Sequence, residues 1–235
     1  MKRPFGAWAS FGIVLLAAAG SAKAQYIFTS IDYPGATSTA VNNIDNAGRI
    51  VGEYDGGGGH HAFIWENGAF TSFDVPSASS SSANGINASN QVVGYYVSGN
   101  TTAYIRNGTT YTDLTPFSGT PEARAYSVND AGRIAGYYSL PSTGNYRGFF
   151  YNGTTYTTLN YPGAVGSQAI GINNSDQIVG YYFNGKPHGF LYTGGGYTTP
   201  PRHPSASWSS GEATGIRSTW IRPRILGRSG GSSRN

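Results

Sequence analysis

The sequence predicts an all-β chain of repeated four-stranded antiparallel units. Of its 235 residues, 35 are Gly and 18 are Tyr, and charged residues make up only 11%. That mixture disfavours helices and suits short strands joined by tight turns, with enough aromatics to fill a core. A glycine also recurs inside one motif, I-V-G-Y-Y and its variants, at Gly52, Gly94, Gly136 and Gly180, spaced 42, 42 and 44 residues apart. Finally, turn-forming residues recur at fixed places in each copy, which marks a repeat of one supersecondary unit.

Each unit reads as four strands in order. The first is a short run at Ile44-Asp45, Ile86-Asn87, Val128-Asn129 and Ile172-Asn173. A compact Asn/Asp/Ser/Gly turn, such as Asn129 to Gly132, leads to the second, which ends in Tyr54, Tyr96, Tyr138 and Tyr182. The third is aromatic: HAFIW from His61, TAYIR from Thr102, RGFFY from Arg147 and HGFLY from His188. Asn67-Gly68, Asn107-Gly108 and Asn152-Gly153 then predict hairpins, because Asn-Gly tolerates the positive φ that tight hairpins need. The fourth strand is FTSFDVP from Phe70, YTDLTP from Tyr111, YTTLNYP from Tyr156 and a degraded YTTPP from Tyr197. A four-stranded meander of this size is that of a propeller blade. The expected architecture is a propeller-like array of four complete repeats plus partial terminal strands: FTSIDYPGA from Phe28 matches a fourth strand, and EATGI from Glu212 a first.

The chain ends read differently. Lys2 and Arg3, the apolar run from Phe11 and the small residues Ala22-Lys23-Ala24 predict a secretory signal over residues 1–24. The repeat domain is expected over 25–216, and an Arg-, Ser- and Gly-rich tail, disordered by its composition, over 217–235. The net charge of +4 comes from those ends, since residues 25–216 hold seven basic and eleven acidic side chains. A folded body without a basic stripe predicts no nucleic-acid partner. The absence of cysteine excludes disulfides and thiolate metal sites.

The motifs GIN-x-x-x-QIVGYY followed by H-[AG]-F-[ILF]-[WY] resemble the HAF family of bacterial extracellular repeat proteins. The tripeptide itself stands at His61-Ala62-Phe63, and HGF at His188-Gly189-Phe190. The resemblance spans about Phe28 to Ile216 and implies an extracellular or periplasmic repeat protein. It names no reaction, because the family is defined by its repeat.

Candidate sites follow from what repeats and what does not. Gly52, Gly94, Gly136 and Gly180 are expected to lie where a neighbouring backbone or ring packs on a bare Cα. Tyr54, Tyr96, Tyr138 and Tyr182 share that face and are expected in inter-blade core. The alternate position holds Glu53, Tyr95, Tyr137 and Tyr181. Because it tolerates charge, Tyr95, Tyr137 and Tyr181 are candidate ligand-binding residues. His61, Phe63, His188 and Phe190 read as structural repeat positions, since equivalent places on separate blades do not converge on a metal. The turns NASN and NNSD carry too few carboxylates for calcium, so Asx turns are expected there and no metal or cofactor. No Gly-x-Ser-x-Gly elbow, His-Glu-x-x-His or phosphate-binding glycine loop is present, and GGGG at Gly56 to Gly59 reads as a linker.

The function expected is therefore non-enzymatic: an exported binding or surface-interaction module. Its specificity would lie in loops that differ between copies, such as those from Pro76 and Ser139, and its partner would be a carbohydrate or cell-surface component. The alternative is a glycoside hydrolase-like propeller enzyme using Asp32 and Asp74, which Thr115 and Asn160 replace in later copies. Open strand edges would also favour self-association.

Overall fold

A computed structural model describes residues 27–198. It contains sixteen strands in four antiparallel meanders, each with its strands in chain order. The first blade is β1 (Ser38–Ile44), β2 (Ile50–Gly56), β3 (Gly59–Glu66) and β4 (Ala69–Phe73). The second is β5 (Ser80–Ile86), β6 (Gln91–Ser98), β7 (Asn100–Asn107) and β8 (Thr110–Leu114). The third is β9 (Ala123–Val128), β10 (Ile134–Ser139), β11 (Tyr146–Tyr151) and β12 (Tyr156–Leu159). The fourth is β13 (Gly166–Ile172), β14 (Ile178–Phe183), β15 (Pro187–Thr193) and β16 (Gly196–Thr198). The first strand of each later blade packs on the second and third strands of the blade before it: β5 on β2 and β3, β9 on β6 and β7, β13 on β10 and β11. This is the propeller-like array that the repeat predicts.

Several elements differ from expectation. The first strands run back from the I-N motif to Ser38, Ser80, Ala123 and Gly166, and the Asn or Asp stands in the turn that follows. The segment from Phe28 forms no strand among the described residues. A fourth strand pairs only with the third of its own blade, and no described strand precedes this one. It turns instead at Tyr33 to Ala36, with Ala36 N–H donating to the Tyr33 carbonyl at 3.1 Å. The degraded fourth strand of the last blade is reduced to β16, three residues long. The expected signal over 1–24, the EATGI match and the tail over 217–235 lie outside the described residues.

The turns explain the Asn-rich motif. Asp45, Asn87, Asn129 and Asn173 each accept two backbone N–H groups through one side-chain oxygen, from the residues two and four positions on, at 2.9–3.1 Å. These are Asx turns. Their left-handed position is Gly48, Asn90, Gly132 and Asp176, with φ of 82°, 60°, 73° and 58°. Gly, Asn and Asp tolerate that region best, which accounts for the variation between copies. The expected Asn-Gly hairpins all form, but only Asn67-Gly68 has both residues at positive φ, 51° and 85°. In the third blade the loop lengthens, and Asn152 makes an Asx turn to Thr154 and Thr155 at 2.9 and 2.8 Å.

Packing accounts for the glycines. A Cβ on Gly52, Gly136 or Gly180 would stand far inside van der Waals contact with the carbonyl oxygen of Ala40, Arg124 or Gln168 on the first strand. It would also lie 2.9, 2.7 and 2.7 Å from the rings of Phe63, Phe149 and Phe190. Gly94 meets the Ser82 carbonyl and the Tyr104 hydroxyl in the same way. The aromatic residue of the HAF-like tripeptide thus covers the glycine of the neighbouring strand. Its pairs are Gly52–Phe63, Gly94–Tyr104, Gly136–Phe149 and Gly180–Phe190.

The second tyrosines hold the segment that leads into each blade. Tyr33 stacks on Tyr54 at 3.6 Å and Tyr161 on Tyr182 at 3.8 Å, both nearly coplanar. Phe117 covers Tyr138 at 4.5 Å, and Val75 lies in one apolar cluster with Tyr96. In every copy the clamping residue precedes its tyrosine by 21 positions, so the linker signal was present in the sequence as a second repeat.

Candidate functional site

The four first strands stand side by side along one axis, β1 against β5, β5 against β9 and β9 against β13. Each carries a bulge, at Asn42, Asn84, Tyr126 and Ile170, where the register with the second strand slips by one residue. A bulge re-aims its side chain, and these four line a single cavity of about 320 Å³ with Asn43, Ser127 and Gly171. Two of them tie the blades together: Asn42 Nδ2 donates to the Ala83 carbonyl at 3.0 Å and Asn84 Nδ2 to the Ala125 carbonyl at 2.8 Å. Nearer the Asx turns a second rung repeats this. Arg49, Asn87 and Asn129 donate to the carbonyls of Asn87, Asn129 and Asn173 at 3.0, 2.9 and 3.0 Å. These turns enclose a further cavity of about 220 Å³. Sequence reading missed the bulge residues because a one-residue slip shows only when two strands are paired.

At the opposite end, where the first strands begin, the repeat gives way to a cluster of unlike residues. Arg124 donates from Nε to Glu122 Oε1 at 2.8 Å and lies 4.2 Å over the ring of Tyr95 on the preceding blade. The hydroxyls of Tyr137 and Tyr146 donate to the same carboxylate at 3.1 and 3.5 Å. Tyr126 stacks on Tyr137 at 5.6 Å, and Tyr146 meets Tyr137 edge-on at 4.9 Å. On the fourth blade, Tyr181 donates its hydroxyl to Gln168 Oε1.

Of the three candidate tyrosines, Tyr95 thus stands against Arg124 and Tyr137 against Tyr126 and Tyr146, while Tyr181 keeps to Gln168 and Phe183 on its own blade. Their access differs. Tyr137 is 6% exposed and occupied by Glu122, so it offers a ligand little surface, whereas Tyr95, Tyr126, Tyr146 and Tyr181 are half-buried. Burial raises the phenol pKa of Tyr95, Tyr137 and Tyr181, and neighbouring acidic groups (Glu53 beside Tyr95, Tyr126 beside the other two) add to it. Those three rings stay neutral hydrogen-bond donors. Burial opposes the charge of Arg124, but the surrounding tyrosines and Glu122 outweigh it and hold its pKa up. The site thus combines ring faces, one fixed cation, one carboxylate and amide groups.

The histidines and the candidate carboxylates lie elsewhere. His61 offers Nδ1 to Asp74 at 2.7 Å and Nε2 to the Gly56 carbonyl at 2.9 Å, and stacks on Tyr54. His188 stacks on Tyr182 at 5.1 Å. Asp32 accepts from Ser30, so Asp32 and Asp74 have separate partners, and neither lines the two axial cavities. Among the described residues no three His, Asp or Glu side chains gather as a metal set, and no helix is long and apolar enough to cross a membrane.

The Asp74 hydrogen bond, set against partial burial, raises the His61 pKa. Acceptors at both nitrogens favour the imidazolium more than water does around a free ring. The stability that this adds is present in full below the unfolded value of about 6.5 and is lost as pH rises through the higher folded value. His61→Thr, the residue of the second copy, should cost more at about pH 5.5 than at about pH 8.5 in urea unfolding.

No protein family matches the chain, and no curated protein does. Among solved structures it is similar to the β-propeller domain of the Trilobed protease from Pyrococcus furiosus, with 16% identity over 59% of this chain and 42% of that one, at a TM-score of 0.41. It is also similar to a mutant Aleuria aurantia lectin in complex with alpha-methyl-L-fucoside (17% identity, 69% and 59% covered, TM-score 0.44). A third is a fucose lectin from Kordia zhangzhouensis in complex with methyl-fucoside (12% identity, 53% and 99% covered, TM-score 0.35). The chain spans less than two thirds of the first solved chains it matches. Likeness at this level carries no argument about ligand or reaction, and the fold rests on the sheet topology itself.

Proposed function

We propose that the chain is an exported, non-enzymatic binding module of the HAF repeat type, and that it holds a carbohydrate at the tyrosine-rich end of its axis. The observation that carries this reading is the convergence of Tyr95, Tyr126 and Tyr146 with Tyr137 and the Arg124–Glu122 pair. Half-buried rings accept the apolar C–H face of a sugar, and a guanidinium and a carboxylate side by side suit its adjacent hydroxyls. Export rests on the basic, apolar and small-residue pattern of residues 1–24. The carboxylates of a hydrolytic alternative, Asp32 and Asp74, have partners of their own away from this cluster.

A glycan array probed with the purified chain tests the reading. Binding to a defined set of glycans is expected, reduced at least about ten-fold in Arg124→Ala and Tyr126→Ala, in keeping with loss of a cation or ring contact. No turnover of the bound glycans is expected. Absence of binding across the array would sink the proposal, as would turnover abolished by Asp32→Asn together with Asp74→Asn.

A further inference from the structure

The inter-blade interface is built three times in the same way. Val51 lies in one buried cluster with Ala83 and Ile86, Val93 with Ala125 and Val128, and Ala135 with Ala169 and the half-buried Ile172. In each case the second strand supplies its trailing face and the next blade's first strand its leading face. Val51, Val93, Ala135, Ala83, Ala125 and Ala169 are all 0% exposed.

The two ends of the array carry the same positions uncovered. On the trailing face of the fourth blade, Val179 stands where Val51, Val93 and Ala135 stand, yet is 51% exposed. Phe183, two strand pairs further on the same face, is 37% exposed and meets Tyr181 edge-on at 5.4 Å. On the leading face of the first blade, Val41 and Ile44 take the places of Ala83 and Ile86 and are 54% and 62% exposed. The polar rung stops at the same seam. Asn87 Nδ2 reaches both Gln91 and the next blade's Asn129 carbonyl. The exposed Asn173 repeats the first contact, to Gln177 at 2.8 Å, where a further turn carbonyl would complete the second.

We propose that a second copy of this chain docks the leading face of its first blade on the trailing face of the fourth. The occupant is argued from the chain itself, because each uncovered face is the half that the other already matches three times over. The contact is heterologous, so copies join head to tail through blade faces and not through the strand edges at β4, β8, β12 and β16. At the seam, Val179 and Phe183 meet Val41 and Ile44 of the second copy, and Asn173 meets the carbonyl of Asp45.

Sedimentation velocity on the full chain over a concentration series is expected to show self-association. A carboxylate placed in this apolar contact, Val41→Asp or Val179→Asp, should weaken it by more than about ten-fold while leaving thermal unfolding of the single chain nearly unchanged. Both sites are about half exposed, so neither carboxylate is fully buried within the single chain. The chain has no cysteine, so Val41→Cys and Val179→Cys can be mixed and treated with a short bismaleimide. A cross-link in the mixture, and none in either variant alone, is expected. A monomer at every concentration would overturn the proposal, as would cross-links between like positions. A cross-link closing within one chain in the double variant, without association, would mean that the chain covers its own faces.

Discussion

Gly136→Ala is expected to destabilise the protein by about 3 kcal/mol or more, the upper range for overpacking a close-packed interior. The new methyl would lie deep inside the Arg124 carbonyl oxygen and 2.7 Å from the Phe149 ring. The ring could rotate away at some cost. The carbonyl could not, because it belongs to β9 in its ladder with β10. The strands must separate locally, and with them the start of the first strand that places Arg124 over Tyr95. For a domain of this size the melting temperature should fall by about 10 °C. Differential scanning calorimetry measures it, and a fall of under about 2 °C would show that the strand yields freely.

Phe149→Ala is the second large effect, expected to cost about 3–5 kcal/mol as for other buried aromatic truncations. Phe149 is 0% exposed, covers Gly136 and meets Tyr156 edge-on at 5.9 Å. Removing it leaves a cavity between the second and third strands of a blade that is paired on both sides, so little can collapse into the space. Urea unfolding gives the magnitude. Combining the two substitutions separates the walls around Gly136. If the carbonyl is the harder wall, Gly136→Ala keeps most of its cost in the Phe149→Ala background, and the coupling stays under about 1 kcal/mol. A large rescue would instead make the ring the obstacle.

The architecture was legible because it is written four times. The glycine, the aromatic tripeptide and the Asx turn each answer a local need that every blade repeats, so periodicity exposed them without any knowledge of the third dimension. The strand starts were less legible. Residues such as Ser80 to Ala83 and Gly166 to Ala169 show no hydrophobic alternation, since small residues there let blades approach on one face and the axis on the other. The segment from Phe28 shows the converse: it has the sequence of a strand, yet no described strand pairs with it.

Of the candidate site, sequence alone picked out Tyr95, Tyr137 and Tyr181 as positions that share a face and tolerate charge. It did not show that one would be closed off by Glu122 while the others stay half-open, or that Tyr126 would stack on it. Those facts depend on the bulge in β9 and on Arg124 reaching across to the preceding blade, contacts between residues 29 apart that leave no trace in spacing. The sequence by itself determined the four-stranded repeat and its packing glycines, because backbone sterics and turn chemistry act over a few residues. Only the tertiary structure decided which unlike residues meet at the axis and which blade faces stay bare, because both depend on how whole blades stand against one another.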